Sequence, residues 1–260
     1  MPDQAKPHDN LLLAAIPTEE RNRLRPFLEL IDLELGKNLI DPDQEILNVY
    51  FPVDMISSTL QELSDGSSVE TGLMGVEGMI GIQGWLMQRT TPTRTMVQVP
   101  GRAFRMSMDV FRREVMDKDS PLNPLIASYI HAFLNMTGQT AACNRLHELE
   151  SRLARWLCLV YDRMLRDEFP MRQEFLAMML GVHRPAVTIA ANGLQDAGLI
   201  SYRRGQMRIA DIDRLRKRSC ECYAIIEAQF DKMFGSDWRQ GGRARGMPPE
   251  TRRGSSQPSA

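Results

Sequence analysis

The chain has 260 residues, 43% hydrophobic and 25% charged, with a formal net charge of −1. That length fits two domains with ample core, and it contains no apolar run of about 18 residues that would cross a membrane as a helix. The opening MPDQAKPHDN lacks a signal-peptide pattern, so a cytoplasmic protein with no membrane partner is expected.

Leu11–Leu28 reads as one or two short helices, with Pro17-Thr18 opening the second. From about Leu30 to Ser107 the pattern changes to short runs rich in Val, Ile, Leu and Phe. Turn signals separate them: Gly36, Asp41-Pro42, Phe51-Pro52, Ser64-Asp65-Gly66 and Pro100-Gly101. Gln61–Leu63 and Ser68–Leu73 flank one turn as a hairpin. Strands at roughly 8–12-residue spacing indicate an antiparallel sandwich or roll. Inside it Gly72, Gly75, Gly78, Gly81 and Gly84 recur at every third residue. The run is short and proline-free, so it is not collagen. It serves either plain turn geometry or a cradle of backbone N–H groups for a phosphate.

From Ser120 to Asn144 there is no Asp, Glu, Lys or Arg. Ile126, Tyr129, Ile130, Phe133, Met136, Thr137 and Thr140 recur at three- and four-residue steps. A helix this free of charge is buried against something large. It is either an internal core helix or, the reading preferred here, a dimer helix packed on its twin as a coiled coil. A second helix, Leu146–Leu165, carries Leu149, Leu153, Trp156, Leu157, Val160 and Met164 on one face.

The segment Gln173–Ile209 holds two short helical patterns and a hairpin. Phe175, Leu176 and Met179 form one apolar stripe, and Gly181 stops it in the position of a left-handed cap. His183 fits the next N-cap and Pro185 the first turn, where a missing N–H costs little. Val187, Ala190, Ala191 and Leu194 make the second stripe. The opposite face keeps Arg184, Thr188, Ile189, Asn192 and Gln195. An Arg at the start of such a helix reaches guanine O6 and N7 with both arms, Thr188 reaches a base edge or phosphate, and Ile189 suits a thymine methyl. The hairpin tip of Arg203, Arg204 and Gly205, with Arg208, places positive charge where a wing lies along a phosphate backbone. Together these are the parts of a winged helix-turn-helix.

Arg214 to Phe234 is expected to continue as one further helix, and residues 236–260, rich in Gly, Pro, Ser and Arg, as a disordered basic tail. The four cysteines, Cys143, Cys158, Cys220 and Cys222, are few and irregular and are expected to be thiols. Cys220-Glu221-Cys222 on a helix would point its thiols apart, and no histidine lies nearby in sequence, so no metal site is expected there. His147 is expected to be structural.

This chain resembles the Crp/Fnr family of bacterial transcription regulators. LGVHRPAV is similar to that family's turn and recognition-helix start, and LQDAGLISYRRGQMRI to its helix end and wing. The resemblance covers roughly residues 11–210 and is strongest from Thr140 onward. The resemblance implies an α+β fold: an N-terminal double-stranded β-helix (jelly roll) of the cyclic-nucleotide-binding type, a long dimerisation helix, and a C-terminal winged helix-turn-helix. The expected bounds are 1–119 for the roll, 120–144 for the dimer helix, 145–212 for the reader, 213–235 for the C-terminal helix and 236–260 for the tail. The DNA-contacting set is then Gln173, His183, Arg184, Pro185, Thr188, Ile189, Arg203 and Arg204. Two departures stand out. Pro185 replaces a frequent Glu after the recognition-helix Arg, and Ile189 replaces a frequent second Arg, so the operator is expected to differ from the family's best-known one. Met171 stands where the family often has a Ser or Thr cap.

In cyclic-nucleotide-binding relatives a Gly-Glu-x-Gly segment followed by Arg-Ser or Arg-Thr grips ribose and phosphate. Here Gly78, Gly81, Arg94 and Thr95 resemble it, but Met79 stands where Glu would hold the ribose. Cyclic AMP and cyclic GMP are therefore not the expected ligands, and the signal is left open. The family's iron–sulfur cluster is not expected either, since no cysteine precedes Cys143. Expected partners are double-stranded DNA and a second copy of the chain, with RNA polymerase as a candidate.

Charge is distributed as such a regulator needs. Residues 1–120 carry 12 basic and 19 acidic side chains, residues 145–212 carry 10 and 8, and residues 213–260 carry 10 and 6. The reader is attracted to phosphate and the roll is not. The alternative is a small-molecule or redox sensor whose DNA readout has degenerated. An enzyme is not expected: the chain has no Ser-His-Asp arrangement, no HExxH and no Walker loop.

Overall fold

The computed structural model describes residues 9–164 and 166–239. Two short helices, α1 (Leu11–Ala15) and α2 (Thr18–Leu24), lead in. Asn10 anchors them. Its carboxamide oxygen caps the N–H of Leu13, and its nitrogen donates to the carbonyls of Pro52, Val76 and Gly78.

Seven strands follow: β1 (Glu29–Leu33), β2 (Asn38–Ile40), β3 (Asn48–Pro52), β4 (Ile56–Glu62), β5 (Ser68–Met74), β6 (Arg94–Val99) and β7 (Gly101–Ser107), with α3 (Ile82–Trp85) between β5 and β6. They form two antiparallel sheets, β1-β7-β3 and β2-β6-β4-β5. This is the expected roll, and the hairpin pairs Glu62 with Ser68. Strand β4 departs from simple alternation: Ile56 through Leu60 are all buried, including Ser57, Ser58 and Thr59. One face looks into the roll and the other lies under the reader. Ile56, Leu60, Leu73, Met96 and Val99 share a core with Trp156, Leu157 and Met179 of the reader.

After α4 (Met108–Phe111) comes α5 (Leu122–Leu146), the charge-poor helix. Here the structure corrects the sequence reading. Ile126, Tyr129, Ile130, Phe133, Met136 and Thr140 are buried within the chain itself, and Thr137 is half-buried. They pack on the roll, with the rings of Phe133 and Tyr129 against Gly72 and Gly78. The exposed face carries Ala127, His131, Leu134, Gly138, Ala141 and Leu146. Up to Asn144 both faces lack charge, so composition alone could not say which one is turned outward; Arg145, in the last turn, is exposed.

The reader comprises α6 (Leu149–Arg163), β8 (Glu168–Pro170), α7 (Gln173–Leu180), α8 (Arg184–Asp196), β9 (Ile200–Arg203), β10 (Gln206–Ile209) and α9 (Ile212–Arg218). α6 begins three residues later than expected, because α5 runs on to Leu146. The single C-terminal helix is in fact two: α9 ends at Arg218, the chain turns at Ser219–Glu221, and α10 (Cys222–Phe234) returns along α5. Of residues 236–239, assigned to the tail, Trp238 and Arg239 pack against the chain while Ser236 and Asp237 are exposed. Trp238 is buried, with its ring 6.1 Å from that of Phe230. The rest of the expected tail, 240–260, lies outside the described residues.

One buried ion triad fastens the parts. Arg163, ending α6, donates Nε to Glu77 of the roll at 2.8 Å and Nη1 to Glu227 of α10 at 3.0 Å. Burial alone would lower the guanidinium pKa, but the two carboxylates hold it raised.

Candidate nucleic-acid interface

Gly181 closes α7 with φ +61°, and its N–H bonds back to the carbonyls of Ala177 and Met178. That left-handed cap turns the chain sharply into α8. His183 is the N-cap of α8 and Pro185 lies in its first turn, as expected, although no side chain caps the helix. α7 also starts without a side-chain cap; Arg172 holds that position and Met171 is buried. Val187, Ala190, Ala191 and Leu194 are the buried face of α8, in one core with Leu153, Trp156, Leu157 and Leu176.

Arg184, Pro185, Ile189 and Asn192 are therefore exposed, with Thr188 at the edge. Ile189 is 74% exposed, unusual for so large an aliphatic side chain. Gln173 organises this surface: its carboxamide oxygen accepts from Arg184 Nε and from Thr188 Oγ1, both at 3.2 Å. Sequence reasoning missed one participant. Glu174 takes Arg184 Nη1 at 2.9 Å, parking the guanidinium on a carboxylate. Its place on the first turn of α7, beside Gln173, was the available signal.

The wing is the sheet β8-β10-β9. Arg203 pairs with Gln206, leaving a two-residue turn of Arg204 (φ +50°) and Gly205 (φ +76°). Two positive φ angles in succession give the type I′ turn that suits a tight hairpin. Arg203, Arg204 and Arg208 are exposed. Tyr202 braces wing to helix: its N–H donates to Gln195 Oε1 at 2.7 Å and its hydroxyl to the Met171 carbonyl at 2.9 Å. Burial raises its phenol pKa. β8 was not foreseen; three residues carry no readable period.

The turn of the reader faces the β4–β5 hairpin. Val69, Gly181, Val182 and His183 help line a cleft of about 880 Å³ there. Within the roll, the four candidate ligand residues have protein partners. The Tyr129 ring closes on Gly78, whose N–H donates to the Gly75 carbonyl at 3.0 Å. Gly81, φ +92°, sits against Val49. Arg94 donates Nε to Glu62 at 2.8 Å, and Thr95 is buried 3.4 Å from the Thr59 hydroxyl.

The four cysteines are free thiols as expected, but two premises of the cysteine reading are corrected. Cys220 precedes α10 and Cys222 begins it, so their thiols do not diverge as they would on a helix. His147, distant in sequence, stands beside them with Cys143. The available signal was Cys143 and His147, four apart at one helix end and hence on one face.

Residues 151–218 match the family described as the Crp-like helix-turn-helix domain. No curated protein matches the chain. Solved structures match over most of its length. FixK2 from Bradyrhizobium japonicum is 14% identical, with a TM-score of 0.62 over 74% of this chain and 98% of its own. A CRP-family transcriptional regulator from Thermus thermophilus is 15% identical, with a TM-score of 0.59 over 73% and 96%. The c-di-GMP-responsive global regulator CLP of Xanthomonas campestris is 14% identical, with a TM-score of 0.59 over 74% and 99%. The fold is thus similar to that of solved Crp/Fnr-type regulators: a β-roll joined to a winged helix-turn-helix. Within it, residues 151–218 are a Crp-like helix-turn-helix domain. Among the described residues no helix is long and apolar enough to cross a membrane.

Proposed function

We propose that the protein is a cytoplasmic, homodimeric transcription regulator that reads a palindromic operator through α8 and is controlled by a signal acting on the roll. The observation that carries this is the exposed face of α8. Arg184, Thr188 and Ile189 project together from a rigid scaffold, and a basic wing flanks them. Two such helices one DNA turn apart, about 34 Å, would enter successive major grooves. Gln173 and His183 frame the reading face. Pro185 shapes its first turn, and Arg203 and Arg204 approach the backbone.

Pairing is assigned to the outward face of α5. Leu134 is 62% and Leu146 75% exposed there, and Ala127, Gly138 and Ala141 let a second helix approach closely. The engagement of Arg94 by Glu62 and the replacement of Glu by Met79 argue for a signal other than cyclic AMP. RNA polymerase is the partner through which a DNA-bound regulator of this class would act, and no catalytic role is assigned.

Genomic footprinting of the bound DNA is the test. It should return a palindrome with half-sites one helical turn apart; uniform occupancy without a consensus would refute the reading.

A further inference from the structure

We propose that Cys143, His147, Cys220 and Cys222 bind one zinc ion, fastening the end of the dimer helix to the start of the C-terminal helix. Their ligand atoms all lie within 4.8 Å of one another. Cys143 Sγ is 3.5 Å from Cys220 Sγ, and Cys222 Sγ is 3.5 Å from His147 Nδ1. A tetrahedral zinc with Zn–S near 2.3 Å and Zn–N near 2.0–2.1 Å holds its ligand atoms roughly 3.5–3.8 Å apart. The fit needs only small side-chain adjustments. A set enclosed this tightly suits one ion rather than a multi-iron cluster.

The surroundings are those of a built site. The three thiols are buried in a cluster of their own, apart from both main cores. His147 presents Nδ1 to the thiols while its Nε2 meets Glu221 Oε1 at 3.2 Å. A carboxylate on the far nitrogen fixes the tautomer and orientation that a metal-binding imidazole requires. Gln139 Nε2 donates to Cys222 Sγ at 3.0 Å, a second bond from outside the ligand set. Three thiolates and one dication leave a net negative charge. Arg152 and Arg155 are buried, and the Nε atom of each lacks a hydrogen-bond partner.

Three thiolates and an imidazole favour zinc over magnesium or calcium. Four protein ligands leave no open position, so the ion would hold structure rather than do chemistry. What it holds is the corner Ser219–Glu221, directly after the last helix of the reader. Metal loss would free that corner from α5. This inference is independent of the operator reading.

The full-length reduced protein would be stripped with a chelator and titrated anaerobically with Co²⁺, then with Zn²⁺. One equivalent of Co²⁺ per chain is expected, with the intense visible absorption and thiolate charge-transfer bands of a tetrahedral site, both abolished by one equivalent of Zn²⁺. Cys220→Ser and Cys222→Ser should lose these bands while far-UV circular dichroism is retained. Cys158→Ser, outside the cluster, should keep them. Glu221→Gln, on the exposed side, should weaken Zn²⁺ binding about 10–100-fold. Absence of stoichiometric binding, an octahedral oxygen-ligated spectrum, or bands surviving in the Cys220→Ser, Cys222→Ser double variant would overturn the proposal.

Discussion

Trp156 of α6 donates its indole N–H to the carboxyl of Glu70 on β5 at 3.1 Å, joining reader to roll through a fully buried group. Ser58 adds a hydrogen bond to Glu70 and also meets Gln98. Burial pushes the Glu70 pKa up to about 7, against the lowering effect of the bonds from Ser58 and Trp156.

A carboxyl whose folded pKa lies above its unfolded value stabilises the fold most when both are protonated, below about 4.5. That contribution is lost as pH rises through about 7. Glu70→Gln keeps the shape without the titration. Thermal unfolding from pH 5 to pH 8 should therefore decline less in the variant than in the native protein. Parallel curves would show that Glu70 does not titrate in this range.

Arg184→Ala should weaken operator binding by about 1–3 kcal/mol and relax one base position. Equal weakening on operator and random DNA, measured by fluorescence anisotropy, would rule out base readout. Glu174→Gln, which releases the same guanidinium and removes a carboxylate near DNA, should bind a few-fold more tightly.

Arg204 holds a positive φ that side chains other than Asn and Gly adopt at a cost of about 1–2 kcal/mol. Arg204→Asn should thus raise stability while weakening DNA binding on every sequence and lowering the salt slope by about one. The two effects run in opposite directions in one variant. A fall in both would contradict the turn geometry.

Arg163→Met leaves Glu77 buried without its cation and Glu227 with only Arg239, 3.5 Å away. Breaking a buried pair in this way costs about 3–5 kcal/mol. Urea denaturation should show that loss, and a change under about 1 kcal/mol would mean the junction opens readily to water.

The reader was legible because local rules specify it: a left-handed glycine, an i/i+3/i+4 stripe and a basic hairpin lie within 37 residues from Gln173 to Ile209. The roll was legible only as short strands, and β4 concealed its double burial behind three hydroxyl residues. For α5 the absence of charge was visible, yet the outward face was not. Burial against the roll depends on Gly72 and Gly78, some fifty residues upstream. The cysteine cluster was hidden for the same reason: Cys143 and Cys220 meet only because α10 folds back along α5.

The glycine run has a mechanical reading. A methyl group on Gly72 would strike Phe133, one on Gly75 would strike the Arg163 side chain, and one on Gly78 would strike Tyr129. Bare backbone is thus the socket for two helices at once, the helix assigned to pairing and the helix that opens the reader. With so little slack, a displacement of this strand and its loop has to be passed on. A signal acting on the roll, as proposed above, would then travel as motion of main chain, with no side chain needed as messenger.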